Sequence, residues 1–253
     1  SNSAYKSVDG VLFNKGTTGL IQYPGGKSGA YQIPNSVTTI GDASFEGCNR
    51  LTAVTIPNSV TTIGDYAFAS CSGLTMVTIP NSVTTMGDSA FLQCSGLISV
   101  TISDGATCVG AFAFQNCSRL TSVSIPNSVT RIDEYAFSYC TNLTSVVIPN
   151  KLTTISYAAF WQTGLTSVTI PDSVTTINTS AFSDCTALTS ITIPSGVSYI
   201  GDFAFDRCLS LTNIAVSSAN QYFASMNGAL FNKSMNLLRQ YPCGKIGAYT
   251  IPV

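Results

Sequence analysis

Apolar residues recur along most of the chain in one fixed order. From Leu51 to Cys71 they read L-x-x-V-x-I-P-x-x-V-x-x-I-x-x-x-A-F-x-x-C, and close variants follow as far as Cys208. An Ile-Pro pair, replaced by Ile-Ser at Ile102, marks each copy, and successive copies are 23 residues apart with a single step of 22. A constant period of this length is typical of a solenoid, in which each repeat buries the face that its neighbour would otherwise expose.

Each copy begins with the pattern of a half-buried strand. In segments such as "LTSVTIP" inward Val and Ile alternate with outward Ser and Thr, which is the period of a strand with one buried face. The following "VTTIG" predicts a second short extended stretch, and "DYAFASC" predicts a tight helical turn that carries Phe inside. The pattern therefore predicts a β-rich solenoid of about eight 23-residue coils, with parallel strands and short helical turns.

Stacking of the copies predicts two ladders in the interior. The phenylalanine ladder comprises Phe45, Phe68, Phe91, Phe114, Phe137, Phe160, Phe182 and Phe205. The cysteine ladder comprises Cys48, Cys71, Cys94, Cys117, Cys140, Cys185 and Cys208. We interpret these cysteines as buried free thiols. Neighbouring coils are about 4.8 Å apart, and this distance alone does not exclude disulfide bonds between some adjacent ladder cysteines. Outside the ladder, Cys108 and Cys243 are expected to be accessible thiols.

The repeat resembles the BspA-like, or Treponema-type, leucine-rich repeat family. The resemblance rests on the Ile-Pro after the strand, on "IGxxAF" and on a Cys three residues after the Phe, and it extends over nearly the whole chain. It implies an extracellular or cell-surface location and an adhesion or protein-interaction role. Members of the family are associated with mucosal microbes and with binding to host matrix proteins.

Both ends of the chain carry the same additional module. Val8 to Pro34 matches Met226 to Pro252 at a constant offset of 218 residues. Each copy predicts a β-hairpin insert, with "GVLFN" paired to "LIQYP" and "GALFN" paired to "LLRQYP". We therefore expect one solenoid over 1–253, with hairpin-type modules at 1–32 and 217–253 around regular repeats at 33–216. Because neither end shows a polar capping repeat, we interpret the chain as part of a longer array.

Composition narrows the classes of function. The chain has 11 basic and 12 acidic residues in no run, so neither nucleic acid nor an anionic membrane is an expected partner, and no apolar stretch is long enough to insert into a bilayer. There is no His, which removes the commonest general base, and one Cys per coil cannot surround a zinc ion. We expect no enzymatic activity, no metal and no cofactor.

The recurring Asp residues and the Asn sequons are expected to have structural or chance explanations rather than functional ones. Asp42, Asp65, Asp88 and Asp202 recur at one repeat position, after Ile-Gly or, for Asp88, after Met-Gly, where a short side chain is expected to cap the tight turn that follows. The glycosylation sequons at Asn116, Asn142, Asn178 and Asn232 are expected by chance in a Thr-rich chain.

One repeat departs from the pattern. A residue is missing after Phe160, Thr163 takes the Cys position, and Trp161 is the single Trp of the chain. We expect a local kink there, and we interpret Trp161 as part of a structural irregularity rather than a binding anchor.

The outward side chains of the long strands form the candidate partner-binding surface. They are Ala53, Thr55, Met76, Thr78, Ser99, Thr101, Ser122, Ser124, Ser167, Thr169, Ser190 and Thr192. The hairpin loop around Lys233, Met235 and Asn236 is the competing site. Two other functions remain open, an architectural stalk with no ligand of its own and an ice-binding ladder of Ser and Thr. The sequence leaves the oligomeric state open.

Overall fold

The computed structural model describes residues 2–250, and it is a β-solenoid of about nine turns in which none of these residues is helical. The predicted fold class is confirmed. The long strands are β4 (Gly29–Gln32), β6 (Leu51–Thr55), β8 (Met76–Ile79), β10 (Ser99–Ile102), β12 (Ser122–Ser124), β16 (Ser190–Ile193) and β18 (Asn213–Val216). The short strands are β5 (Thr39–Ile40), β7 (Thr62–Ile63), β9 (Thr85–Met86), β11 (Cys108–Val109), β13 (Arg131–Ile132), β14 (Thr154–Ile155), β15 (Thr176–Ile177) and β17 (Tyr199–Ile200).

Neighbouring coils pair in parallel and in the register of the repeat. Val77 lies opposite Val100, which in turn lies opposite Val123. The long strands form separate ladders, β4 with β6, β8 with β10 and β12, and β16 with β18. Between β12 and β16 the pairing is reduced to one isolated bridge, Val147 to Thr169. The shortened repeat lies in this gap, so the region where we expected a kink is one where the long-strand ladder is interrupted.

The segments predicted as helical turns are instead consecutive β-turns, and this part of the prediction is wrong. Tyr66 and Ser70 have left-handed backbones with φ of 55° and 59°, which a right-handed helix does not allow. Alternate N–H groups of the turn bind the next coil, as Phe68 N does to Ala90 O at 2.7 Å. The groups between them close local turns, as Ala69 N does to Tyr66 O at 2.9 Å. Bonding to the next coil therefore replaces the bonds of a helix.

Both interior ladders are present. Consecutive rings from Phe45 to Phe205 stack with centroids 4.6–5.9 Å apart and interplanar angles of 17° or less. The ladder cysteines are free and buried. From Cys71 onward each ladder thiol donates to the carbonyl oxygen of a ladder Phe in the preceding coil, at 3.0–3.3 Å. Thr163, in the Cys position, lies 3.1 Å from the Cys185 sulfur and so joins the same row.

Three of the four Asp residues at this repeat position bind the next coil rather than cap their own turn, contrary to the expectation. The carboxylate of Asp65 accepts a hydrogen bond from the N–H of Asp88 at 2.8 Å, one coil later. Asp42 binds the N–H of Asp65, and Asp88 binds that of Ala111, both at 2.9 Å. Asp202, the fourth such residue, is exposed and precedes the second end module.

Each end module is a three-stranded antiparallel sheet. The predicted hairpins are β2 (Val11–Asn14) with β3 (Gly19–Gln22), and β20 (Ala229–Asn232) with β21 (Leu238–Gln240). A further strand precedes each hairpin, β1 (Tyr5–Val8) and β19 (Phe223–Met226). At the first module β3 also pairs in parallel with β5, which joins it to the short-strand ladder. The last residues of the second copy, 251–253, lie outside the described residues.

Candidate binding surfaces

The strand face, defined as the twelve outward positions predicted from the sequence, is exposed except at Ser99, which is half-buried. The register places these side chains in rows, since Thr78, Thr101 and Ser124 lie opposite one another on neighbouring strands. Directly beneath them, Val77 and Val100 are buried. None of the twelve positions carries a charge. The face therefore offers hydroxyl and small apolar groups on a fixed support.

A shallow recess of about 400 Å³ interrupts the strand face between β6 and β8. These two strands belong to separate ladders, and the recess is lined by Ala53, Thr55, Met76 and Thr78 among others. The Met76 side chain is 64 % exposed. An exposed flexible thioether beside small side chains is a surface that can adapt to a partner. Farther along, Ser167 and Thr169 lie where the strand pairing is interrupted.

Burial makes the ladder thiols poor nucleophiles, because the reactive thiolate form is disfavoured there. Burial raises the pKa of Cys48 and of Cys185 to about 11, and it raises the pKa of Cys94 well above its usual range. Cys243 is exposed, as expected. Cys108 is half-buried, so it is more accessible than the ladder thiols and less so than Cys243. Arg131 Nε donates to its sulfur at 3.2 Å, and burial raises its pKa.

Within residues 2–250 we find no group of three or more Cys, Asp or Glu side chains placed to hold a metal ion. The described part of the chain also contains no helix of the length and apolar character needed to cross a membrane.

The competing loop of the second end module is held by its own hydrogen bonds. Asn232 Oδ1 accepts from the N–H groups of Asn236 and Leu237 at 3.1 and 3.0 Å. The Lys233 ammonium donates to the carbonyl oxygen of Asn220. The Lys233 side chain is thus held against the backbone of Asn220, although the residue stays exposed.

A second surface, which the sequence reasoning did not identify, lies on the turn segments. Tyr135, Tyr157, Trp161 and Phe203 surround a recess of about 180 Å³, and Asp206 and Arg207 form part of its lining. We call it the aromatic recess. The only sequence signal was the recurrence of aromatic residues in the turn segments near the single Trp. Its residues come from several coils and from different repeat positions, so the period of the repeat does not reveal that they meet.

The repeat pattern decides the family of the chain. Six copies of the BspA type leucine rich repeat region match the chain, over residues 27–125 and 107–237. The chain belongs to this family. None of the curated proteins matches it.

Solved structures of the same kind share the fold. A leucine rich cell surface protein from Faecalibacterium prausnitzii A2-165 is 31 % identical with a TM-score of 0.69, over 96 % of this chain and 62 % of its own. A leucine-rich repeat protein from Bacteroides ovatus is 26 % identical with a TM-score of 0.63, over 85 % of this chain and 69 % of its own. A third, from Eubacterium ventriosum, is 26 % identical with a TM-score of 0.57, over 91 % and 55 %. The chain thus spans about three fifths of the length of the Faecalibacterium protein.

Proposed function

We propose that this chain is the repeat array of a non-enzymatic cell-surface or secreted protein that binds other proteins through its strand face. Host matrix or cell-surface proteins are the partner class we favour. The family and the description of the Faecalibacterium relative as a cell surface protein support the location and the interaction role. The observation that carries the choice of surface is the uncharged, exposed grid on parallel strands, with Met76 open at its recess.

Physical chemistry favours a partner surface that is itself neutral. Exposed Thr and Ser rows can exchange hydrogen bonds with a protein backbone or polar side chains, and burial of Met76 supplies an apolar centre. Charge introduced into such a contact is left unpaired on binding, which costs affinity without disturbing the fold. The same surface argues against the ice-binding alternative, because the grid is interrupted between β6 and β8 and again between β12 and β16.

The proposal is tested by placing arginines on the face. A variant carrying Thr78→Arg, Thr101→Arg and Ser124→Arg should keep its melting temperature, since exposed substitutions usually change stability by about 0.5 kcal/mol or less. Binding to immobilised extracellular matrix proteins, measured by surface plasmon resonance, should fall at least about tenfold, or about 1.4 kcal/mol.

The matched control alters Lys233, Met235 and Asn236 to Ala and should bind as the parent does. If the loop variant alone loses binding, the contact lies on the end module. If the parent chain binds no matrix protein above a control with a scrambled surface, the architectural stalk is the better account.

A further inference from the structure

The aromatic recess is separate from the strand face and shares no residue with it. It lies where the turns of successive coils meet, from Tyr135 in one coil to Phe203 three coils later. Its volume is about 180 Å³. Phe203 is 65 % exposed and Tyr157 is 40 % exposed. Large rings left this open at the mouth of a recess are the feature that needs an explanation.

The rings form the walls of a concavity rather than a flat stack. Tyr135 and Tyr157 meet at 80° with centroids 5.1 Å apart, and Tyr135 and Trp161 meet at 64° with centroids 6.2 Å apart. Tyr139 supports the far side of Trp161 at 67° and 4.8 Å. Edge-to-face packing of this kind fixes the rings in place.

The backbone does not explain why aromatic residues occupy these positions. Tyr135 and Phe203 are left-handed, with φ of 56° and 59°, a conformation in which bulky side chains are uncommon. Other coils place Ala43, Ser89 and Ser180 at the equivalent left-handed position. Tyr66 and Phe112, outside the recess, also occupy this position, so the turn accepts small and aromatic residues alike. What distinguishes the recess is that Tyr135 and Phe203 meet Tyr157 and Trp161 there.

The polar groups of the recess are held in a fixed arrangement. Asp184 accepts from Trp161 Nε1 at 2.7 Å and from Arg207 Nη2 at 2.7 Å. Arg207 Nε also lies 3.8 Å from Asp206. The guanidinium is thus anchored between two carboxylates at the rim, while much of the Arg207 side chain stays open to solvent. Ser180 and Ser183 add hydroxyl groups to the lining.

We propose that the aromatic recess binds a pyranose sugar. A pyranose has a face of C–H bonds, which packs against aromatic rings, and a rim of hydroxyl groups, which need donors and acceptors at fixed positions. The recess supplies both, with rings as walls and Arg207, Asp206 and the serines at the edge, the usual division of an apolar pocket with a few placed polar groups. Hydrogen bonds from a charged group such as Arg207 are the stronger kind.

A quaternary ammonium ion is the alternative that an aromatic cage also suits. The charge distribution disfavours it, because Arg207 already occupies the side of Asp184 and Asp206 that a cation would approach. Tyr135 offers no compensating negative charge, since a hydrogen bond with the Tyr157 side chain, followed by burial, raises the pKa of Tyr135 to about 12. A bound cation would therefore have to displace the guanidinium from both carboxylates.

A second recess adjoins the aromatic recess at Phe203. Phe203 and Asp206 line a second, larger recess of about 340 Å³ that reaches β21. A disaccharide that packs across Phe203 should bind more tightly than its component monosaccharide.

Trp161 is the only Trp of the chain, so its fluorescence reports on this site directly. Neutral hexoses, 6-deoxyhexoses, N-acetylhexosamines and sialic acid are titrated separately, with choline as the cation probe. We expect a saturable change in Trp161 emission for at least one sugar, with Kd below about 10 mM, and saturation-transfer NMR should show contacts from its ring protons. Saturation by choline with no response to any sugar would overturn the assignment, as would no response to any probe.

A matched pair of variants locates the sugar. Phe203→Ala should weaken binding at least about tenfold. Tyr66→Ala, which removes an exposed aromatic ring from the same left-handed position outside the recess, should leave the Kd unchanged. Equal losses in the two variants would contradict the site. The Thr78→Arg, Thr101→Arg, Ser124→Arg variant should retain sugar binding, so this inference stands or fails independently of the strand face.

Discussion

A β-carbon on Gly87 would lie 2.3 Å from Oδ1 of Asp65 in the preceding coil. That oxygen occupies the space because it accepts a hydrogen bond from the N–H of Asp88 at 2.8 Å. Gly64 faces Asp42 at the same 2.3 Å. In three of the four pairs of described coils where the earlier coil lacks the Asp, at Ala111, Glu134 and Tyr157, the later coil also lacks the Gly, and the exception is Thr179, which precedes Gly201. The Asp of one coil and the Gly of the next are therefore structurally coupled, and we call each such pair a joint.

Gly87→Ala should lower the free energy of unfolding by about 1–3 kcal/mol, because the new methyl group meets both the carboxylate and backbone atoms. Asp65→Ala alone should cost about 0.5–1.5 kcal/mol through the lost hydrogen bond. In the double variant the carboxylate no longer opposes the methyl group, so the combined cost should fall short of the sum by at least about 0.5 kcal/mol. Urea unfolding followed by circular dichroism measures all three.

The control for this double-mutant cycle of Asp65 and Gly87 is Gly25→Ala, since nothing lies within 4 Å of the added methyl group at that position. It should change stability by about 0.5 kcal/mol or less. Additivity of the Asp65 and Gly87 effects would show that the two residues are not a joint.

The cysteine ladder makes a second prediction about the contact between coils. The Cys94 thiol donates to the carbonyl oxygen of Phe68 at 3.0 Å, and that oxygen also accepts from the N–H of Cys71 at 3.2 Å. Cys94→Val keeps the apolar volume but removes the donor, so it should cost about 0.5–1.5 kcal/mol. Cys243→Val, at an exposed thiol, is the comparison and should be neutral in the same urea titration. If both variants are as stable as the parent, the ladder thiols contribute only their volume to the core and not a stabilising hydrogen bond.

Alkaline pH should destabilise the array. Burial raises the pKa of every ladder thiol above the ordinary value of 9.0, so the folded chain holds protons that the unfolded chain releases. The stability from these groups is complete below about pH 9 and falls above it, by up to about 1.4 kcal/mol per pH unit for each cysteine. Melting temperatures between pH 7 and 10.5 should be level at first and then drop.

The Cys94→Val variant should show a shallower decline over the same range, because one titrating thiol is gone. A melting temperature that stays constant to pH 10.5 would mean that the thiols do not reach the interior in the way described.

Much of this architecture could be predicted from the spacing of residues. Phe68 and Phe91 are one period apart, and any stack of identical coils must place them in contact. The strand face follows in the same way, from the alternation of Val77 with Thr78. Both conclusions need only the repeat period and the alternation of apolar and polar residues, and many copies of the repeat show both.

Other features depend on geometry within a coil, which the period does not contain. The turns could be read as helical because "DYAFASC" is compatible with either form, and only the bonds from Phe68 to the next coil decide between them. The bond of Asp65 to the next coil depends on the same backbone. The aromatic recess requires the positions of Trp161 and Phe203 in different coils, together with the missing residue of the shortened repeat.

The hydrogen bonds from each turn to the next coil hold the turn in place independently of the peptide bonds within it. Tyr66 N binds Asp88 O at 3.0 Å, and Ser70 N binds Leu92 O at 2.7 Å. If a protease cuts the peptide between these two residues, both cut ends remain attached to the following coil. A single cleavage in a turn therefore frees no segment, and the array can keep its shape after damage that would open a protein whose loops are held only at their two ends.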